Sequence, residues 1–280
     1  MWSSKDVYYI SDSTGILATN LGQALLCQFP EINFHEEHLP FIRTKADAEK
    51  ALAYILESSG GRRPIVFSTI MDREIMAVFN VPEVEFFDAY EVFLSRLEEC
   101  LEARALRVPG FSRQADNVTM ARRVDAIHFT LDHDDGVRPT EYDQAQVILL
   151  GVSRTGKTPV SVYLATQLGL KVANFPLTGD ALTRQQLPEG VLGNLRRAVG
   201  LTTRPEILQQ VRRKRYPDSR YASLTTCIEE IEQARRLFGR YRLPVVDTAG
   251  KSIEEVATQV LQELGISKKP AQLTVPGRKS

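Results

Sequence analysis

Two hydrophobic periods alternate along the chain, one of strands and one of helices. Residues 7–11 form a short β-branched and aromatic run that predicts a strand. Behind it Ile16, Leu17, Leu21, Ala24, Leu25 and Gln28 fall on one helical stripe that is apolar until its last member. A second helix over 45–57 stops at Ser58-Ser59-Gly60-Gly61, then 64–70 predicts a strand and 86–105 a strand end with its helix. The stretches 107–117 and 134–143 are polar and without period, and between them Val124, Ile127, His128 and Leu131 predict an amphipathic bridging helix. The alternation then restarts with a strand over 146–150, a loop, and a helix running through Leu168. A strand over 171–175 is broken by Pro176, and helices follow over 204–213 and 223–241. A buried strand over 244–246 leads to a closing helix over 252–264, with Ser252 as its N-cap and Glu255 three residues on. Strands alternating with helices predict an α/β protein with a mostly parallel sheet. The expected division is an N-terminal α/β lobe with its bridging helix over 1–140, a phosphate-loop, kinase-like domain over 141–267, and a loose tail over 268–280.

Composition narrows the class. At 280 residues, 43% hydrophobic and 25% charged, the chain is long enough for one or two globular cores and unlike a disordered or fibrous protein. Basic and acidic residues balance at 35 each, so no net charge points to nucleic acid or to an anionic membrane surface. The apolar run 147–152 is far too short to cross a bilayer, and the first residues lack the pattern of a secretion signal, so a cytoplasmic protein is expected. Cys27, Cys100 and Cys227 are scattered, without zinc spacing, and are expected as reduced core thiols.

The chemistry concentrates in Gly151-Val152-Ser153-Arg154-Thr155-Gly156-Lys157-Thr158, which matches G-x-x-x-x-G-K-[ST] in full. It follows the apolar run Val147-Ile148-Leu149-Leu150 and opens a helix carrying Val160, Tyr163, Leu164 and Leu168, the context such a loop requires. Successive backbone N–H groups and the positive end of the helix dipole form a cradle for phosphate oxygens. Gly151 and Gly156 permit close approach, Lys157 is expected on a terminal nucleotide phosphate, Thr158 in the shell of a Mg²⁺ ion, and Arg154 as an added planar charge. The plain alternative is a glycine turn feeding an ordinary helix.

Further strings carry a family resemblance through nearly the whole chain. They are Tyr9-Ile10-Ser11-Asp12-Ser13-Thr14-Gly15, His133-Asp134-Asp135-Gly136, Gly151 through Pro159, Ala173-Asn174-Phe175-Pro176-Leu177, Ser219-Arg220-Tyr221-Ala222-Ser223 and Ser252-Ile253-Glu254-Glu255-Val256-Ala257. With them the chain resembles the bacterial regulatory proteins of phosphoenolpyruvate synthase and of pyruvate, phosphate dikinase. The resemblance implies a bifunctional regulator. An ADP-dependent serine/threonine kinase activity modifies a threonine of the target, and a phosphate-dependent activity removes the group as pyrophosphate. ADP, Mg²⁺ and inorganic phosphate are the expected small molecules. The target is one of the two enzymes, with the synthase favoured by His38-Leu39-Pro40-Phe41 and Asp143-Gln144-Ala145-Gln146. A homodimer is left open.

Other features keep two readings each. Asp12 ends the first strand, where open sheets gather ligands, as a base or metal contact or as part of a helix cap. His133, Asp134 and Asp135 supply either a base and a carboxylate for Mg²⁺ or a solvated turn. Arg212-Arg213-Lys214-Arg215, with Arg220 beyond, is a basic lid over phosphates or a solvated helix face. Asp247-Thr248-Ala249-Gly250 lacks the order and spacing of a GTPase element and reads as a strand end near the nucleotide. Two rival functions remain, a small-molecule kinase using ATP and a nucleotide-sensing module without turnover.

Overall fold

The computed structural model describes residues 4–108, 116–217 and 219–266. The expected tail 268–280 and the middle of the polar stretch 107–117 therefore lie outside the described residues. The chain divides into two compact units, Met1–Gln114 and Ala115–Ser280.

In the first unit β1 (Ser4–Ile10), β2 (Asn33–Leu39), β3 (Ile65–Ser68) and β4 (Glu85–Asp88) form one parallel sheet in the order β2-β1-β3-β4. Helices α1 (Ile16–Leu26), α2 (Lys45–Ser58), α3 (Arg73–Ala77) and α4 (Glu91–Leu101) accompany it. Residues 7–10 are buried because β1 is covered on both faces. Tyr8 and Ile10 pack with Ala48 and Ile55 of α2, whereas Val7 and Tyr9 pack with Ala18 and Leu26 of α1. Helix α2 starts at a capping box in which the Thr44 hydroxyl accepts from the Asp47 N–H and the Asp47 carboxylate accepts from the Thr44 N–H.

The expected stripe on α1 is turned outward. Ala18, Gly22 and Leu26 face the sheet, while Ile16, Leu17 and Leu25 are roughly half exposed. Two rings beneath the helix explain the inversion, since a Cβ on Gly22 would stand 2.3 Å from Tyr9 Cε1 and 2.9 Å from Phe67 Cδ2. Only small residues let α1 approach.

The second unit has α5 (Asp116–Asp132), 3-10 turns at Asp134–Gly136 and Pro139–Gln144, and four strands, β5 (Val147–Gly151), β6 (Val172–Pro176), β7 (Ala198–Thr202) and β8 (Val245–Asp247). Its other helices are α6 (Lys157–Leu168), α7 (Gly179–Arg184), α8 (Glu189–Leu192), α9 (Pro205–Arg213), α10 (Leu224–Tyr241) and α11 (Ile253–Glu263). The sheet is again all parallel, in the order β6-β5-β7-β8, so second, first, third and fourth strands lie side by side as in the first unit. Every residue of β5 is buried: Ile148 and Leu150 join the cluster with Leu237 and Phe238 of α10, and Val147 and Leu149 join the cluster with Val160 of α6 and Val260 of α11. Gly200 on β7 lets α10 lie close, because a Cβ there would meet the Phe238 ring at 2.8 Å.

The bridging helix belongs to the second unit, so the division falls near residue 114 and not near 140. Its inner side is Ala126, Phe129 and Thr130, and the Thr130 hydroxyl accepts the Val172 N–H that opens β6 (3.1 Å). Val124 and Leu131, expected inside, are exposed. Of the three thiols only Cys227 is in a core; Cys27 and Cys100 are exposed. Among the described residues no helix is long and apolar enough to cross a membrane.

Candidate functional site

The glycine-bounded loop leaves the carboxyl end of β5, the strand at which the sheet's progression reverses and where parallel sheets open a crevice. Gly151 is required by space, since a Cβ would stand 2.6 Å from the Thr155 hydroxyl and 2.8 Å from the Leu201 carbonyl of the adjacent strand. Gly156 is required by conformation, with φ 92° at the N-cap of α6. Thr155 Oγ1 donates to the Val152 carbonyl (3.0 Å) and Lys157 Nζ donates to the same oxygen (3.1 Å). Ser153 offers its carbonyl to Arg212, and Arg154 is exposed at φ 75°. Lys157 is 6% exposed, and burial pulls its ammonium down to about 8 against the opposing pull of Asp135 and Asp134.

Around the loop lies a cavity of about 350 Å³, lined among others by Asp134, Asp135, Ser153, Lys157 and Thr158. The structure thus brings together the loop and the His133-Asp134-Asp135-Gly136 turn, and it separates the roles within that turn. Thr158 Oγ1 donates to Asp134 Oδ1 at 3.0 Å, and the Asn174 amide donates to the same carboxylate oxygen. Asp135 stands in the left-handed region at φ 54°, exposed, and among the described residues its side chain makes no hydrogen bond or ion pair. Gly136, at φ 83°, passes against Pro176. His133 is turned into the core: its Nδ1 donates to the Phe129 carbonyl (2.7 Å), its ring stacks on Phe129 at 3.8 Å, and Nε2 faces Glu141 at 3.2 Å in a geometry that makes no hydrogen bond.

Asp12 lies in the first unit and lines another cavity, of about 370 Å³, at the end of β1. It accepts the Met71 N–H at 2.8 Å, and burial pushes its carboxyl up despite that bond and the Arg43 charge. The loop from Ser11 to Gly15 occupies the same place in its sheet as 152–156 does in the second, with Gly15 at φ 75° capping α1. Ile16 and Leu17 stand where the second unit has Lys157 and Thr158.

Two residues of the second unit exceed what the sequence reading assigned them. Asn174, on an otherwise apolar strand, is 1% exposed and holds the acidic turn; a polar residue inside a buried strand was the available signal. Arg212, read as part of an exposed run, is fully buried one turn from Leu208 on the inner face of α9. Its Nη1 donates to the Tyr221 carbonyl (3.0 Å), its Nη2 to the Ser153 carbonyl (3.2 Å) and to Glu230, and its plane lies 4.0 Å from the Tyr221 ring. The residues beside it, Arg213, Lys214 and Arg215, are exposed. Asp247 caps its own turn by accepting the Ala249 N–H (2.9 Å), on a strand separated from β5 by β7. Asp218 lies outside the described residues.

A parallel sheet whose inner strand runs through a tight turn into a lysine-headed helix, with carboxylates at the mouth, defines the class as an α/β protein of the strand–loop–helix type. A model of the kinase/pyrophosphorylase family matches residues 7–261, and the chain belongs to that family. It is 48% identical over 264 residues to a protein of Desulfotalea psychrophila named as a phosphoenolpyruvate synthase regulatory protein, covering 94% of this chain and 97% of the relative. Proteins of the same name from Bordetella avium (42% identical, 95% of this chain, 98% of the relative) and Hahella chejuensis (39%, 94% and 98%) are similar over the same extent.

Proposed function

We propose that this protein transfers the β-phosphoryl group of ADP to a threonine hydroxyl of phosphoenolpyruvate synthase and, in a second activity, removes it with inorganic phosphate. The observation that carries the reading is the meeting of Lys157 and the loop with two carboxylates at a single mouth, one of them bonded to Thr158 and the other exposed. The names of the relatives support the synthase as target. The same chemistry on pyruvate, phosphate dikinase is the neighbouring reading, distinguished by offering both enzymes.

The loop N–H groups and the α6 dipole would hold the diphosphate, with Lys157 on the β-phosphate. Asp135, exposed at the cavity, would take the proton of the threonine hydroxyl as its oxygen attacks the β-phosphorus in line. The bond between that phosphorus and the α–β bridging oxygen breaks, and AMP leaves with the electron pair. In the return step an oxygen of inorganic phosphate attacks the phosphothreonine phosphorus. The bond to the threonine oxygen breaks, Asp135 returns the proton to it, and pyrophosphate leaves. The residues fit a Mg²⁺ ion: Thr158 and Asp134, in contact at 3.0 Å, are the hydroxyl and carboxylate that phosphate-loop enzymes use for it. Bound there with nucleotide, Mg²⁺ would neutralise charge on the phosphate oxygens. His133 and Asn174 would shape the turn.

The test is incubation of the protein and phosphoenolpyruvate synthase with β-labelled ADP, following AMP release and phosphothreonine by mass spectrometry. Asp135→Asn is expected to lower the rate about 10²- to 10⁴-fold with ADP affinity retained. Tight ADP binding with no AMP formed would replace the kinase by a nucleotide-sensing module.

A further inference from the structure

Asn174 uses all its polar groups on one short segment. Its backbone N–H donates to the His133 carbonyl (3.1 Å) and its backbone carbonyl accepts from the Tyr142 hydroxyl (3.0 Å). Its side-chain oxygen accepts the Asp135 N–H (2.9 Å), and its side-chain nitrogen donates to the Asp134 carboxylate. The residue sits on β6, which is hydrogen-bonded to β5, with Asn174 opposite Leu149. The acidic turn is therefore referenced to the strand that launches the phosphate loop.

We propose that Asn174 is the positioning residue that divides labour between the two carboxylates. The amide nitrogen is a donor and selects a carboxylate oxygen of Asp134, aiming that group at Thr158. The amide oxygen is an acceptor and takes the Asp135 backbone N–H, which secures an L-residue at φ 54° and leaves the Asp135 side chain to the cavity. An isolated left-handed aspartate is otherwise free to leave that conformation, since it costs energy for any residue with a Cβ. Asparagine alone among side chains of this size supplies both a donor and an acceptor from one planar group. Partners that orient a metal-binding carboxylate commonly carry a 10- to 100-fold effect on affinity. The inference rests on the proposed Mg²⁺–ADP reading of the loop.

The experiment measures ADP binding by calorimetry as a function of Mg²⁺ in the full chain. Three variants are compared with the native protein: Asn174→Asp, Asn174→Ser, and the exchange Asp134→Asn/Asn174→Asp. Asn174→Asp keeps the shape and the acceptor but sets a carboxylate against Asp134. It is expected to raise the half-saturating Mg²⁺ concentration about 10- to 100-fold while ADP binding in EDTA is unchanged. The exchange restores an amide–carboxylate contact, so thermal stability should return to near the native value while the Mg²⁺ requirement stays raised. Asn174→Ser withdraws from both contacts and should also speed hydrogen exchange of the Asp135 amide, a readout independent of any ligand. Native Mg²⁺ dependence in all three variants, or an unchanged Asp135 exchange rate in the serine variant, would overturn the proposal. Native protein that binds no ADP would overturn the reading of the loop itself, and the positioning role with it.

Discussion

Replacing Arg212 by methionine tests how the phosphate loop is held. The guanidinium is fully buried and ties three elements together: the Ser153 carbonyl of the loop, the Tyr221 carbonyl, and Glu230 of α10. Methionine fills much of the volume but leaves the two carbonyls without their donor. Each buried acceptor left unmatched costs about 1–3 kcal/mol. Glu230, 26% exposed, recovers water and adds little of its own. The expected loss is about 3–5 kcal/mol, the range found when one member of a buried ion pair is removed. Arg212→Lys should lose nearly as much, because one ammonium cannot reach three acceptors that a planar fork serves from two nitrogens. Urea denaturation with hydrogen exchange read at the β5 amides reports the second unit specifically. With a urea slope of about 2–3 kcal/mol/M, the midpoint should fall by about 1–2.5 M. ADP affinity should fall as well, since the Ser153 peptide forms part of the cradle. A methionine variant within about 0.5 kcal/mol of the native protein, the scale of ordinary surface substitutions, would refute the anchoring role.

Three further outcomes follow from the same geometry. Lys157 carries its charge in a buried position, at about 8 against an ordinary 10.5. The charged form is thus disfavoured by folding, so the stability of the nucleotide-free protein should be lowest below pH 8 and rise by about 3 kcal/mol as pH passes toward 10.5. Lys157→Met should abolish that rise in denaturation curves, stabilise the fold at neutral pH and remove ADP binding. Gly151→Ala places a methyl against the Leu201 carbonyl at 2.8 Å, and should cost about 1–3 kcal/mol in urea denaturation together with most ADP affinity. Asp12 has its carboxyl raised chiefly by burial, so its contribution is present at low pH and is lost as pH rises through the folded value. Asp12→Asn, whose amide oxygen still accepts the Met71 N–H, should raise Tm at pH 7, and the gain should vanish at acid pH.

What could be read from the residues was decided by how completely each element's environment is local. Strand β5 and helix α6 were legible because an all-apolar run and the glycine spacing are properties of a few adjacent residues. Strand β2 was not, since Asn33-Phe34-His35-Glu36-Glu37-His38-Leu39 is an edge strand with little apolar content. Strand β7 escaped because it is short, follows Arg196-Arg197 and carries Gly200, whose reason is the distant Phe238 ring. The stripe on α1 was seen but its direction was not, because the rings that demand small residues lie on β1 and β3. At the site, the loop and the two aspartates were visible as motifs. The difference between Asp134 and Asp135 was not, since it is imposed by Asn174, forty residues from Asp134 in sequence. Arg212 was hidden among three cations of like appearance, and only the helix face distinguishes it.

Each sheet draws its strands from one uninterrupted stretch of chain, and the first is complete at Asp88. During synthesis that ladder can therefore close before the residues of the second have left the ribosome, as units that fold N-terminal first do. The order of emergence matters here because the two sheets are look-alikes, both parallel and with matching strand order, and an unpaired edge of one is a plausible template for a strand of the other. Vectorial synthesis separates the two pairing problems in time. Refolding the full chain from denaturant poses both at once, which opens cross-pairing between halves as a misfolding route.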